Sequence, residues 1–334
     1  MTLALLASAG AAEAKSTKVK KMPAPPCPQR VLVLSAMPVE LGAVLARYGA
    51  VAPKPKPKLE TKTIAGHDYY VGQYGRRNLV MTMTGIGPMN AKAATAAAFA
   101  AFTCHGRSEI SEVVFSGVAG GDYIGDVIVP AQWTNASPHG ATVSWVDDSL
   151  LAAAKRVVAS VNPLLRTTAP AGDPACGCAT SPDAVTTVAV THKPTVEVGG
   201  KGLTTDPFSG RALPCVPGGG DVFGCTPCAS RTNAARDGEA FAPGVVPFAD
   251  PSFFTGYFAS TASSPGYVAD DEESGAVATE ARRHGAGFIA FRAVSDGGGD
   301  PLMLPGFPAQ FFYYRQLAAD NAAIATVAFI AAGG

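Results

Sequence analysis

The sequence predicts an α/β fold, a mixed or parallel sheet covered by helices on both faces. Three observations carry this. Apolar runs of strand length, such as Val31-Leu32-Val33-Leu34, alternate with segments of helical period, the pattern of repeated β-then-α units. Apolar residues make up 47% of the 334 and charged residues 16%, enough for a large core and too little charge to keep the chain unfolded. At about 150 residues per domain the length suits two domains, or one large α/β domain with an insertion. The 37 glycines and 27 prolines add long loops. Twenty-six basic side chains balance twenty-six acidic ones, so no net field draws the chain to nucleic acid or anionic lipid. A small neutral or zwitterionic ligand fits better.

In chain order, the apolar run from Leu3 to Ala12 precedes Ala12-Glu13-Ala14, a small-x-small pattern like a signal-peptidase site, although a basic n-region is missing. Residues 1–29 are expected to be a signal segment and a Lys/Pro-rich tether, giving a secreted or periplasmic protein; if the run is an ordinary Ala-rich helix, the location is cytoplasmic. The folded domain is expected over 30–332. Val31–Ala36 is a strand, followed at Pro38 by a helix carrying Leu41, Val44 and Leu45. Lys54-Pro55-Lys56-Pro57-Lys58 cannot continue a helix and reads as a solvated loop. Strands at His67–Gln73 and Asn78–Thr84 follow, then an Ala-rich helix from Met89 to Phe102. Glu112–Ser116 is a buried strand closed by Gly117-Val118-Ala119-Gly120-Gly121, and Asp126–Pro130 is the next strand. Asp147-Asp148-Ser149 caps a helix with Leu150, Leu151 and Val157 on its apolar side. From about 172 to 240 the pattern dissolves into Gly, Pro, Thr and Cys, which reads as an insertion. A helix from Glu272 to His284, a strand over Phe288–Val294 and a final helix from Ala309 to Ala331 complete the fold. No later apolar run has the roughly 18 uninterrupted residues of a spanning helix, so no membrane partner is expected.

Five of the seven cysteines fall between 176 and 228. Cys176-x-Cys178 with Cys225-x-x-Cys228 suits either a four-thiolate zinc site or, in an exported protein, disulfides. Five is odd, so one of them pairs with Cys27 or stays free, and Cys104 reads as a buried structural thiol.

Polar residues collect at the C-terminal ends of the strands, beyond which open α/β sheets bind ligands. Glu40 follows the first strand. Thr84-Gly85-Ile86-Gly87 and Gly117–Gly121 read as turns whose amides approach a ligand without an intervening Cβ. Glu273 opens the penultimate helix and Asp296 closes the strand after it.

With Ala36-Met37-Pro38-Val39-Glu40, Ile124-Gly125-Asp126-Val127, Glu273-Ser274-Gly275-Ala276-Val277-Ala278 and Phe291-Arg292-Ala293-Val294-Ser295-Asp296, these segments resemble the purine nucleoside phosphorylase/nucleosidase family. They look most like 5′-methylthioadenosine/S-adenosylhomocysteine nucleosidases. The resemblance implies a three-layer α/β/α fold with a mixed central sheet and a cysteine-rich loop insertion. It also implies a homo-oligomer that cleaves a purine nucleoside without metal or cofactor. Residue by residue, it implies that Glu40 activates water, Glu273 binds the ribose hydroxyls and Asp296, oriented by Ser295, protonates the leaving base. Arg292 would hold water beside Glu40 and Glu273. Thr84, Gly85, Ala119 and Gly120 would line the ligand, and Phe307 would close over it or simply pack. Such groups suit a reaction that builds positive charge on the sugar and negative charge on the base.

Hydrolysis is expected over phosphorolysis, because no arginine lies in the Thr84 or Gly117 segments and Glu40 would repel phosphate; Arg76 and Arg77 keep phosphate open as a partner. Glu272 stands where this resemblance implies methionine; its added charge either changes the sugar pocket or points to solvent, and the base and 5′ substituent stay open. Phe223 and Phe258 compete as the aromatic against the base. The plant storage proteins similar to this family provide a non-catalytic alternative, nucleoside binding or storage.

Overall fold

Alternating valine and leucine make Arg30–Ser35 (β1) a strand buried on both faces, with neighbours on each side in the sheet. The computed structural model describes residues 26–51, 58–136, 140–171, 187–217, 219–227, 265–304 and 306–333. The strands after β1 are β2 (Glu60–Ile64), β3 (His67–Tyr74), β4 (Arg77–Met83), β5 (Thr103–Cys104), β6 (Arg107–Ser108), β7 (Ile110–Tyr123), β8 (Val127–Val129) and β9 (Gln132–Asn135). They continue with β10 (Thr142–Trp145), β11 (Thr168–Pro170), β12 (Thr187–Ala189), β13 (Val196–Val198), β14 (Lys201–Thr204), β15 (Ala269–Asp271) and β16 (Gly287–Gly298). The helices are α1 (Pro38–Val51), α2 (Pro88–Ala101), α3 (Asp148–Val161), α4 (Gly220–Phe223), α5 (Ser274–Arg283) and α6 (Ala309–Ala332).

The main sheet runs β10-β9-β14-β15-β7-β1-β4-β3-β2, with β16 beside β7 and β8 joining β16 to β13. It is mixed, as expected: β1 is parallel to β4 and β7, and β7 to β16, whereas β15 meets β7 antiparallel. Helices α1 and α3 pack on α6, and α2 packs on α5, giving two helical groups against the sheet. α6 is apolar and small-residue on nearly every side and is buried accordingly. Its one fully buried amide is satisfied: Asn321 Oδ1 accepts from the Arg166 amide at 2.7 Å and Nδ2 donates to the Gly125 carbonyl at 2.9 Å. No helix among the described residues is long and apolar enough to cross a membrane.

Four expectations are corrected. Gly117–Gly121 is not a turn: β7 continues through it to Tyr123, because side chains from other segments occupy the space above these glycines. Likewise β16 runs past Asp296 to Gly298. The span 172–240 is not uniformly irregular, since β13 pairs with β8 and β14 lies between β9 and β15 within the main sheet. Cys104 is not a lone thiol but is the partner of Cys27, which therefore does not pair with the cluster; within the cluster Cys215 and Cys225 form the expected kind of disulfide. Cys176, Cys178, Cys228, Phe258 and most of residues 1–29 and Lys54–Lys58 lie outside the described residues.

Candidate active site

Arg292 is the hub. It lies mid-strand on β16, opposite Gly117 of β7, and its side chain is fully buried. A buried guanidinium persists only when carboxylates neutralise it. Nε donates to Asp271 Oδ2 at 2.7 Å and to Ser274 Oγ at 3.1 Å, and Nη2 donates to Glu273 Oε2 at 2.7 Å. Nη1 stands 3.6 Å from Glu40 Oε1 and has no hydrogen-bond partner among the described residues. The guanidinium also lies 4.2 Å from the Phe115 ring centroid.

Glu40 is placed by the first turn of α1. Its Oε2 accepts from the amides of Ala36 (2.7 Å) and Met37 (3.0 Å), and Oε1 accepts from the Val118 amide of β7 at 2.7 Å. Burial raises its pKa, opposed by Arg292 and these amides. Glu273 stands just before the first residue of α5, with Oε1 accepting from the Gly87 amide at 2.8 Å. Burial pushes its pKa up to about 7; Arg292 opposes this, while Asp271 and Glu40 add to it. Arg292 itself stays charged: burial disfavours the cation, but Asp271, Glu273 and Glu40 outweigh that and raise its pKa. The expected Glu40, Arg292 and Glu273 are therefore one contiguous network.

Asp296 stands beyond this network on β7 and β16. A bulge at Ser295 puts Asp296 opposite Gly120, three residues or about 10 Å along β7 from Gly117. A Cβ on Gly120 would come within 2.9 Å of Asp296 Oδ2, so glycine is what admits the carboxyl there. Ser295 Oγ donates to Asp296 Oδ1 at 2.7 Å and reaches the Ala119 carbonyl at 3.4 Å. Burial pushes the Asp296 pKa up to about 6; the Ser295 bond opposes this and Asp270 adds to it. Strand β15 links the two clusters, because Asp270 faces Gly120 while the next residue, Asp271, binds Arg292.

Thr84 and Gly85 line a cleft of about 280 Å³ with Leu41, Asn90, Leu213 and the Cys215–Cys225 loop. Phe307 is half-buried at the start of α6, with its ring 5.9 Å from Phe311, a packing contact. Phe223 is buried in α4. Glu272 is half-buried; burial, Glu273 and Asp271 raise its pKa well above the carboxylate range, Arg292 opposes them and Asp206 adds to the rise.

Sequence reasoning missed Asp271, Thr204 and Phe208. Thr204 Oγ1 donates to Asp271 Oδ1 at 2.5 Å and accepts from the Gly275 amide at 2.8 Å, which locks β14, β15 and α5 together. Phe208 follows β14, and a Cβ on Gly87 would lie 2.6 Å from its ring, so this aromatic rests directly beside the Glu273 anchor. The run of four acids from Asp270 to Glu273 was the available signal for Asp271.

Comparison with known proteins bears on the family and the fold. A profile described as phosphorylase superfamily matches residues 30–188. An uncharacterized protein of Mycobacterium tuberculosis (strain ATCC 25618 / H37Rv) is 40% identical over 211 residues, covering 60% of this chain and 78% of that one. A 5′-methylthioadenosine/S-adenosylhomocysteine nucleosidase from Colwellia psychrerythraea 34H, solved with adenine, shares the fold with a TM-score of 0.54 at 17% identity. It covers 91% of this chain and 96% of its own. The futalosine hydrolase of Helicobacter pylori strain 26695 gives a TM-score of 0.52 at 16% identity, covering 90% and 97%. By its matched profile and its fold, the chain belongs to the phosphorylase superfamily.

Proposed function

We propose that the protein hydrolyses the N-glycosidic bond of a purine nucleoside, adenosine or a 5′-substituted relative. One observation carries this reading: the buried Arg292 grips Glu273 and presents Nη1, without a hydrogen-bond partner among the described residues, beside Glu40. A water seated there is held by Nη1, and its proton passes to Glu40 as its oxygen attacks C1′. Glu273 holds the ribose hydroxyls. The electron pair of the C1′–N9 bond moves onto the purine, and Asp296 gives its proton to N7, so the products are free base and free ribose. A pKa near 6 keeps part of Asp296 protonated near neutrality. Carboxylates on both sides of the incipient sugar cation favour the transition state over the ground state.

The charge balance supports water over phosphate. Glu40, Asp271 and Glu273 surround a single guanidinium, and a phosphate dianion would be repelled. Arg77 does not alter this, because it is paired with Glu112 at 2.5 Å near the opposite end of β4. The two disulfides suit an oxidising compartment and support an exported protein.

The test is to incubate the protein with adenosine, inosine and 5′-methylthioadenosine, with and without phosphate, and to identify the sugar released. Free sugar without phosphate is expected. A sugar 1-phosphate formed only with phosphate replaces hydrolysis by phosphorolysis, and tight binding without cleavage favours a non-catalytic nucleoside carrier.

A further inference from the structure

Three consecutive carboxyl groups lead from β15 into α5, and the outer two are used within the protein. Asp271 accepts from Arg292 Nε, Thr204 Oγ1 and the Ser274 amide, and Glu273 accepts from Arg292 Nη2 and the Gly87 amide. Glu272 between them is half-buried, yet its carboxyl has no hydrogen bond or ion pair among the described residues. Its charged neighbours are Glu273, Asp271, Arg292 and Asp206. Asp206 belongs to the loop that seats Phe208 over Gly87, its carboxylate accepting from the Phe208 and Gly210 amides.

Half-buried beside Glu273, Asp271 and Asp206 and without a protein donor, this carboxyl is open to a donor on a ligand. The fully buried Arg292 Nη1, which has no hydrogen-bond partner among the described residues, stands 3.6 Å from Glu40 Oε1. A ribonucleoside carries three sugar hydroxyls. On the hydrolytic reading Glu273 takes the 2′ and 3′ pair, which leaves only the 5′ hydroxyl for a neighbouring carboxyl.

We propose that Glu272 determines specificity by accepting a hydrogen bond from a donor on the 5′ carbon, so that the substrates are ribonucleosides with a free 5′-hydroxyl or 5′-ammonium group rather than 5′-thioethers. This rests on the nucleosidase reading of the site. A thioether offers no donor, and a site built to bond one rejects the analogue that lacks it.

The experiment compares adenosine, 5′-amino-5′-deoxyadenosine and 5′-methylthioadenosine on the wild type, Glu272→Gln and Glu272→Leu, with circular dichroism to verify folding. The wild type is expected to favour the hydroxyl and amine over the thioether by about tenfold or more in kcat/KM. Glu272→Leu erases or inverts that ratio. Glu272→Gln keeps the hydroxyl preference and loses the added preference for the amine. A wild-type ratio at or below one, or a ratio unchanged in both variants, overturns the proposal. Without turnover the same ratios are read as Kd by calorimetry, so absent cleavage counts against hydrolysis while the ratio still decides the role of Glu272. Binding of none of the three overturns both.

Discussion

Asp296 and Glu40 show how identical chemistry is set to different tasks by position. Glu40 is fixed as an acceptor by three backbone amides, whereas Asp296 has Ser295 as its close donor and Asp270 as a like-charged neighbour. A general acid works only while protonated, so kcat/KM is expected to fall as pH rises above about 6, and Asp296→Asn is expected to remove that limb and lower kcat by about 10²–10⁴. Stability moves the same way. The folded pKa of Asp296 lies above its ordinary value of 3.8, so the native state binds this proton more tightly. That contribution is full below about 4 and is lost as pH rises through about 6. Asp296→Asn, which keeps a neutral group there, should therefore stabilise the fold by roughly 1–3 kcal/mol at pH 8 and by almost nothing at pH 4. Urea unfolding at the two pH values measures this; equal effects at both contradict a buried, perturbed carboxyl.

Among the elements, β7 does most to assemble the site, and its glycines are the reason. A Cβ on Gly117 would collide with Arg292 Nη1 and lie 2.5 Å from Glu40 Oε1, so Gly117→Ala must displace the hub. It is expected to cost about 2–4 kcal/mol and to lower kcat/KM about a hundredfold. Gly49 in α1 meets nothing within 4 Å, so Gly49→Ala should stabilise by about 0.5–1 kcal/mol. Thermal melts of both variants check the contrast, and a tolerated Gly117→Ala would mean the guanidinium is not held where it stands. The same glycines limit what the sequence reveals. A Gly-Val-Ala-Gly-Gly run has the local marks of a turn, and only side chains 78 to 176 residues away make it a strand. Strands β13 and β14 were hidden for another reason: at three and four residues, bordered by glycines, they offer no periodicity to read. By contrast α2 and α6 were legible as long alanine-rich runs, α5 by its helical apolar spacing, and β16 as a continuous apolar run of strand length.

Across the whole molecule, the site joins segments that are distant in the chain: α1 supplies Glu40, the loop before α2 the Gly87 amide, β15 Asp271, α5 Glu273 and β16 Arg292 and Asp296. Glu40, Glu273 and Asp296 could be picked out because charged residues are rare next to buried strands. Phe208 could not, since its role depends on packing against Gly87, 121 positions earlier, and local pattern carries no trace of it. Disulfide partners are equally non-local: Cys27 joins Cys104 across 77 residues, which clamps the chain ahead of β1 to β5, just beyond α2. The central claim is that Glu40, Glu273 and Asp296 address one bound nucleoside. A crystal structure with a C-nucleoside, whose carbon–carbon glycosidic bond resists hydrolysis, tests it most directly. The account predicts Glu273 within hydrogen-bond distance of the ribose hydroxyls, Glu40 beside a water facing C1′ and Asp296 on the base nitrogen. A ligand that contacts only one of these carboxylates, or that sits wholly in the cleft between Thr84 and the Cys215–Cys225 loop, contradicts it.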